Sequence, residues 1–194
     1  MSRRTDPKSA SVHLVPGGSS VPAEFGAGHA SQLSRSRVRT LVVTSGRSGV
    51  GKSNLAANLA VSLGQRGARV VLVDGDLAQA NLDLLLGVHP RWDLGHVLAG
   101  NKTLDEVVVH CPDHVTLVPG AASSPELAEL DDYRRELLLR SLGLADEHAD
   151  LMIVDTASVM SRQTLELCRS AHDLLVVVTP EMTSCSDAYG LVKT

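Results

Sequence analysis

The sequence predicts an α/β domain of three layers, α/β/α, around a mainly parallel sheet. Short apolar runs recur along the chain, at 39–45, 68–73, 115–118, 151–154 and 174–178. They are continuous rather than alternating, as strands buried on both faces are. Helical patterns stand between them, so successive strands cross over and lie parallel. Between the first run and the first helix, residues 46–53 read Gly-Arg-Ser-Gly-Val-Gly-Lys-Ser, a full match to the phosphate-binding loop G-x-x-x-x-G-K-[ST]. Strand, glycine loop and helix in that order make the domain P-loop NTPase-type.

The elements follow in chain order. Residues 1–38 are rich in Ser, Pro, Gly and Ala with little periodicity and read as a disordered, basic-leaning extension. Residues 39–194 read as one partial P-loop domain. Arg39–Ser45 is a β-branched buried strand. After the loop, Leu55, Leu59 and Leu63 recur every four residues among alanines and read as one helix face. Gly67 is a helix stop, and Ala68–Val73 a second strand. Asn81–Leu86, Leu94–Ala99 and Thr103–Val109 read as short helical pieces, and Val115–Val118 as a third strand. Ser124-Pro125-Glu126 is a helix start, a capping Ser followed by Pro at the first helical position. Tyr133–His148 reads as a longer helix. Leu151–Val154 and Leu174–Val178 are the fourth and fifth strands, and Thr183–Thr194 begins another helix. No capping residue or glycine follows Lys193-Thr194, which reads as a C-terminally truncated domain.

Composition narrows the function. Of 194 residues 43% are apolar, but Trp, Tyr and Phe together make only 2%, so the core is aliphatic. Base stacking on aromatic platforms is disfavoured, and no direct nucleic-acid partner is expected. Residues 1–39 carry six Lys/Arg against two Asp/Glu, a balance of +4, and the rest 12 against 20, a balance of −8. The tail reads first as a solvated one. Cys111, Cys168 and Cys185 are odd in number without C-x-x-C spacing, which favours a reducing cytoplasm over a disulfide framework. The N-terminus has no apolar signal core, and no run approaches membrane-span length.

The chemistry gathers at one sheet edge. The loop residues Gly46, Ser48, Gly49, Val50, Gly51, Lys52, Ser53 and Asn54 would cradle phosphate from a helix N-terminus. Lys52 would reach the β/γ-phosphates of ATP or ADP, and the Ser53 hydroxyl would bind Mg²⁺. Asp74 and Asp76 follow the second strand, and Asp155 ends the fourth. C-terminal strand ends share one edge of a parallel sheet, so all three carboxylates fall beside the loop. One could hold Mg²⁺ and another orient an attacking water. A single strand-end Asp more often caps a loop; three beside a phosphate loop favour function.

Leu41 to Thr194, about four-fifths of the chain, resembles the MinD/ParA group of P-loop ATPases with a deviant Walker A motif. Within it the FlhG/FleN subgroup of flagellar-number regulators is the nearest match. The resemblance rests on residues 44–60 (Thr-Ser-Gly-Arg-Ser-Gly-Val-Gly-Lys-Ser-Asn-Leu-Ala-Ala-Asn-Leu-Ala), on 73–87 (Val-Asp-Gly-Asp-Leu-Ala-Gln-Ala-Asn-Leu-Asp-Leu-Leu-Leu-Gly) and on 177–194, with Leu-Val-Pro-Gly-Ala-Ala-Ser at 117–123 in support. It implies that Asp76 positions the hydrolytic water with Asp74 and Asn81 nearby, that Asp155 is the Walker B carboxylate, and that Asp155 and Asp74 join Ser53 around Mg²⁺. It implies a face-to-face homodimer around two ATP molecules, and as partners a flagellar GTPase, switch components or a transcription regulator. The group's extra loop lysine, which reaches the partner's nucleotide, aligns with Arg47, which keeps the charge in a planar, bulkier form. Ser48 stands for a usual glycine and would strain the loop if the position needs positive φ. Val159 stands for a switch glycine after Walker B. Residues 28–34 only weakly echo the subgroup's activating motif.

Other signals are set aside. Asn101-Lys102-Thr103-Leu104-Asp105 is one residue too long for the guanine-reading N-K-x-D. His110-Cys111-Pro112-Asp113-His114 reads as a turn rather than a zinc site. Trp92, the only indole, reads as a packing residue. The expected function is an ATP-binding switch with slow Mg²⁺-dependent hydrolysis. The alternatives are a weakly nucleotide-binding scaffold, suggested by Arg47, Ser48 and Val159, and a partition ATPase, disfavoured by the domain's acidity.

Overall fold

A computed structural model describes residues 11–16, 38–77, 79–121, 133–134, 137–138, 149–158 and 161–193. In chain order these form β1 (Ser11–Pro16), β2 (Arg39–Thr44), α1 (Lys52–Gly64), β3 (Val70–Gly75), α2 (Leu82–Leu86), α3 (Leu94–Leu98) and α4 (Leu104–Val107). There follow β4 (Val109–His110), β5 (Val115–Val118), β6 (Leu151–Thr156), α5 (Arg162–Ser170), β7 (Asp173–Val178) and α6 (Met182–Lys193). The strands make one sheet in the order β1-β7-β2-β6-β3-β5-β4. The five inner strands pair in parallel, and only the two edge pairs, β1 with β7 and β4 with β5, are antiparallel.

Burial on both faces explains the continuous apolar runs. Along β2, Val42 packs with Val71, Val73, Met152 and Val154 on one face, joined by Leu94, Val97 and Leu98 of α3 and Leu167 of α5. Val43, one residue on, turns to the other face with Leu72, Ile153, Leu175 and Val177. Neighbouring residues of a strand point to opposite faces, so both must be apolar when helices cover both. The predicted three-layer parallel architecture is what forms.

Several local expectations are corrected. The leucines of α1 are not its buried stripe: Ala56, Ala57, Ala60 and Gly64 are, and Leu55, Leu59 and Leu63 flank them half-buried. Small residues let the helix axis approach the sheet more closely than a leucine line would. The expected helix 103–109 is one turn, Leu104–Val107, started by a reciprocal capping box between Thr103 and Glu106. The β-branched Val108 is already extended, and Val109–His110 pairs with β5. The low periodicity of residues 1–38 predicts no strand, yet Ser11–Pro16 pairs along the whole of β7. The helix start at Ser124 and the Val159 position lie outside the described residues. Of the helix expected over 133–148, residues 133, 134, 137 and 138 are described, and all four are helical. Trp92 packs against the core beside α3, its ring edge-on to His96 at 4.8 Å between centroids.

Candidate functional site

The loop between β2 and α1 takes its shape from its glycines. Gly49 and Gly51 have φ of 79° and 90°, where a Cβ is disfavoured, and Gly51 caps α1. Gly46 is needed for a different reason: a Cβ there would overlap the Asp187–Ala188 backbone of α6. Among the described residues only Asp113 and His114 are non-glycines with positive φ, so Ser48 does not carry the strain its sequence position suggested. Val50 is buried and anchors the loop in the core beneath α1. The amides of the first helical turn have no intrahelical acceptor, which leaves them available to an anion.

Beneath the loop lies a buried ion pair. Lys52 Nζ donates to Asp155 Oδ1 at 2.7 Å, and the two side chains are 6% and 1% exposed. Lys52 Nζ also lies 3.3 Å from the Ser53 hydroxyl. Burial pushes the Asp155 carboxyl up, and Lys52 with Ser53 pulls it back down. Asp155 Oδ2 is buried without a hydrogen-bond partner among the described residues.

A cleft of about 360 Å³ brings together Ser48, Gly49, Gly51, Lys52, Ser53 and Asn54 with Asp76 across from them. Asp76 is half-buried, and its Oδ1 accepts from the Gln79 amide at 3.1 Å. Asn81 also lines the cleft, as do Gln79, Leu84, Leu85 and Ser158, four residues to which the motifs assign no role in the site. The run Leu84-Leu85-Leu86 on a five-residue helix was the available signal, since three successive leucines there cannot all face inward. Leu84 is in fact 70% exposed.

Two predicted residues are turned elsewhere. Asp74 neighbours Asp155 in register, and neither lines the cleft, but Asp155 lies under it bonded to Lys52 whereas Asp74 is bonded elsewhere. Its Oδ2 accepts from the amides of Asn81 and Leu82 at 2.9 and 3.0 Å, fastening the loop that follows Asp76. Burial pushes its carboxyl up to about 7, against those two hydrogen bonds. Arg47 likewise stands outside the cleft, its Nη1 bonded to Thr183 Oγ1 and 3.4 Å from Glu181 Oε2 at the start of α6.

The donor set fits a nucleotide with Mg²⁺. A hydroxyl at Ser53 and a buried carboxylate oxygen at Asp155 with no partner are hard oxygen ligands beside a cationic lysine and a glycine cradle. Among the described residues no group of His, Cys, Asp and Glu is arranged to hold a metal by itself. Mg²⁺ would therefore need phosphate oxygens and water as further ligands.

Comparison with known proteins points the same way. The family model of the CobQ/CobB/MinD/ParA nucleotide binding domain matches residues 41–184. The chain is 36% identical over 156 residues to the antiactivator FleN of Pseudomonas aeruginosa, covering 80% of this chain and 56% of FleN. It is 32% identical over 166 residues to the flagellum site-determining protein YlxH of Helicobacter pylori, covering 82% of this chain and 54% of YlxH. Among solved structures, the septum site-determining protein MinD of Pyrococcus horikoshii, complexed with Mg-ADP, superposes with a TM-score of 0.64 at 27% identity, over 80% of this chain and 65% of that one. The chain spans a little over half the length of FleN and YlxH.

Proposed function

Because the chain belongs to the CobQ/CobB/MinD/ParA family of nucleotide-binding domains, we propose that it is an ATP-binding switch that hydrolyses ATP slowly and regulates spatial organisation. The observation that carries this reading is the buried Lys52–Asp155 pair set under a glycine cradle beside Ser53. A buried ion pair is a weak way to stabilise a fold, so its retention at this place needs another reason.

In this reading Lys52 exchanges its bond to Asp155 for phosphate oxygens, and the loop amides take the remaining negative charge. Ser53 and Asp155 would hold Mg²⁺, which when bound offsets phosphate charge and polarises the phosphoryl group. Asp76, facing the cleft from the other side, would orient a water. Asp74 is a positioning residue that holds the Asp76 loop through Asn81 and Leu82. Arg47 rests against Glu181 and Thr183 and would have to leave them to reach across to a second copy. ATP would then favour a homodimer and hydrolysis release it, changing which partners bind.

The likeness to FleN and YlxH supports flagellar number or placement as the process, with a flagellar GTPase, switch components or a transcription regulator as partners. No described helix is long and apolar enough to cross a membrane. A second reading, a scaffold that binds nucleotide weakly, is favoured by one observation: Arg47 is engaged within its own chain rather than in the cleft.

Calorimetric titration of ATP with and without Mg²⁺, on this chain and on Lys52→Ala, tests the proposal. Micromolar Mg²⁺-dependent binding that disappears in the variant is expected. Absence of binding to the unaltered chain overturns the switch for this chain and leaves the scaffold reading.

A further inference from the structure

The strand β7 has the composition of an inner strand. Leu175, Val176 and Val177 are 5%, 4% and 2% exposed, and residues 174–178 form an apolar run. The charge that precedes the run, Asp173, is held by both prongs of the Arg39 guanidinium. Left at the edge of the sheet, such a strand offers unpaired backbone groups between apolar side chains, the pattern that pairs with another chain. Edges are commonly guarded by charge or proline, and residues 174–178 contain neither.

The guard comes from the far end of the chain. Ser11–Pro16 pairs with Asp173–Val178 at all six positions. It ends in proline, and Arg3, Arg4 and Lys8 precede it in sequence, so the new edge carries the charge and proline that β7 lacks. The direction of pairing is informative. β7 runs parallel to β2 but antiparallel to β1. In a second copy related by a two-fold axis normal to the sheet, β7 would also run antiparallel to this one. β1 thus takes the place and the direction that the β7 edge of a second copy would take. Its tether is long. In the sheet β1 lies two strand spacings from β2, about 10 Å, yet 22 residues stand between Pro16 and Arg39. The strand can therefore leave β7 with β2 in place. No residue of β1 or β7 lines the phosphate cleft.

We propose that Ser11–Pro16 is a guard strand, and that the β7 edge it covers is a self-association surface. Once the guard leaves, its occupant is the β7 edge of a second copy. The guard holds its place by proximity. A strand tethered in this way meets β7 at an effective concentration on the order of millimolar, so it outcompetes a second copy at lower protein concentration. Whatever draws Ser11–Pro16 away lets two chains join edge to edge and continue one sheet across the two-fold axis. This pairing is independent of nucleotide and of Arg47.

Neighbouring residues of an edge strand aim their N–H groups alternately at the partner strand and at solvent. Proline at only one of His13 and Leu14 therefore removes a ladder hydrogen bond. His13→Pro and Leu14→Pro are each compared with the parent by sedimentation velocity of the full chain without nucleotide. One variant should behave like the parent, and the other should dimerise at least about tenfold more tightly. A peptide of residues 9–18 added at about 1 mM should return that variant to the parent's distribution. Two variants that both sediment like the parent, or an association that the peptide does not reverse, overturn the proposal. Hydrogen exchange of the unaltered chain decides the matter if the disrupted variant does not fold. The amides that join β1 to β7 should exchange together, and sooner than those that join β7 to β2. One common rate for both sets, or no protection in β1, overturns the proposal as well.

Discussion

Replacing Lys52 by alanine removes more than a phosphate ligand, because it strands a carboxylate in the core. The ammonium and the Asp155 carboxylate are 2.7 Å apart and almost wholly buried. At an effective dielectric of about 20, their attraction is on the order of 6 kcal/mol, most of it offset by desolvating the two charges. Without Lys52 that offset is gone, and Asp155 must stay charged and unpaired or take up a proton. Burial already pushes its carboxyl up, and Lys52 is the main force opposing that. Protonation is therefore the cheaper escape. Protonating a carboxyl of ordinary pKa near 3.9 costs about 4 kcal/mol at pH 7 and about 1.5 kcal/mol at pH 5. These figures cap the loss. The sign follows from linkage. In the variant the folded-state pKa of Asp155 lies above its unfolded value, so the native state binds the extra proton and stability falls as pH rises. Urea unfolding of the parent and Lys52→Ala at both pH values should give a deficit near 3 kcal/mol at neutral pH that shrinks by half or more in acid. Adding Asp155→Asn should recover much of it. A deficit below about 1 kcal/mol at pH 7, or one equal at both pH values, would refute the reasoning. The same result decides how Lys52→Ala serves as a binding control, since lost binding means little unless the variant is folded at the titration pH.

Gly46→Ala should destabilise by about 2 kcal/mol, because the added methyl would meet the backbone of Asp187 and Ala188 on α6 and neither can move without shifting the helix. Thermal unfolding checks this, and a melting temperature within a degree of the parent's would show that the approach is looser than drawn. Arg47→Ala should leave stability within about 0.5 kcal/mol, since the pair with Glu181 is solvent-exposed on both sides. It should nevertheless abolish the ATP-dependent dimer in sedimentation velocity, and a dimer of parental strength would remove Arg47 from that role. Asp74, pushed up to about 7 by burial, binds a proton in the folded chain that it releases when unfolded above pH 4. Stability should accordingly decline as pH rises from about 4 through 7, and Asp74→Asn should flatten that decline; equal pH profiles for parent and variant would contradict it.

Much of the site is legible in the chain because its parts are local. The loop Gly46–Ser53 needs residues at fixed short spacing, and an apolar run that ends in Asp155 places a carboxylate at a strand end whatever the rest does. Two-sided burial likewise writes itself as unbroken apolar runs, which is why the layer order could be read in advance. Side-chain partners far apart in sequence could not be. Lys52 meets Asp155 across 103 residues and Arg47 meets Thr183 across 136, contacts decided by which strands become neighbours and how closely α6 approaches the loop. Spacing alone gave Asp74 and Asp76 equal claims on the cleft. Only the folded chain turns Asp74 toward the Asn81 and Leu82 amides and leaves Asp76 facing the phosphate loop. The same holds for α1, where periodicity marked a helix, but the sheet selected the alanine face because only small side chains allow that separation. The sequence by itself determined the loop, the layers and the reactive residue types. Tertiary structure decided which of those residues face one another, because that depends on long-range packing that no local spacing encodes.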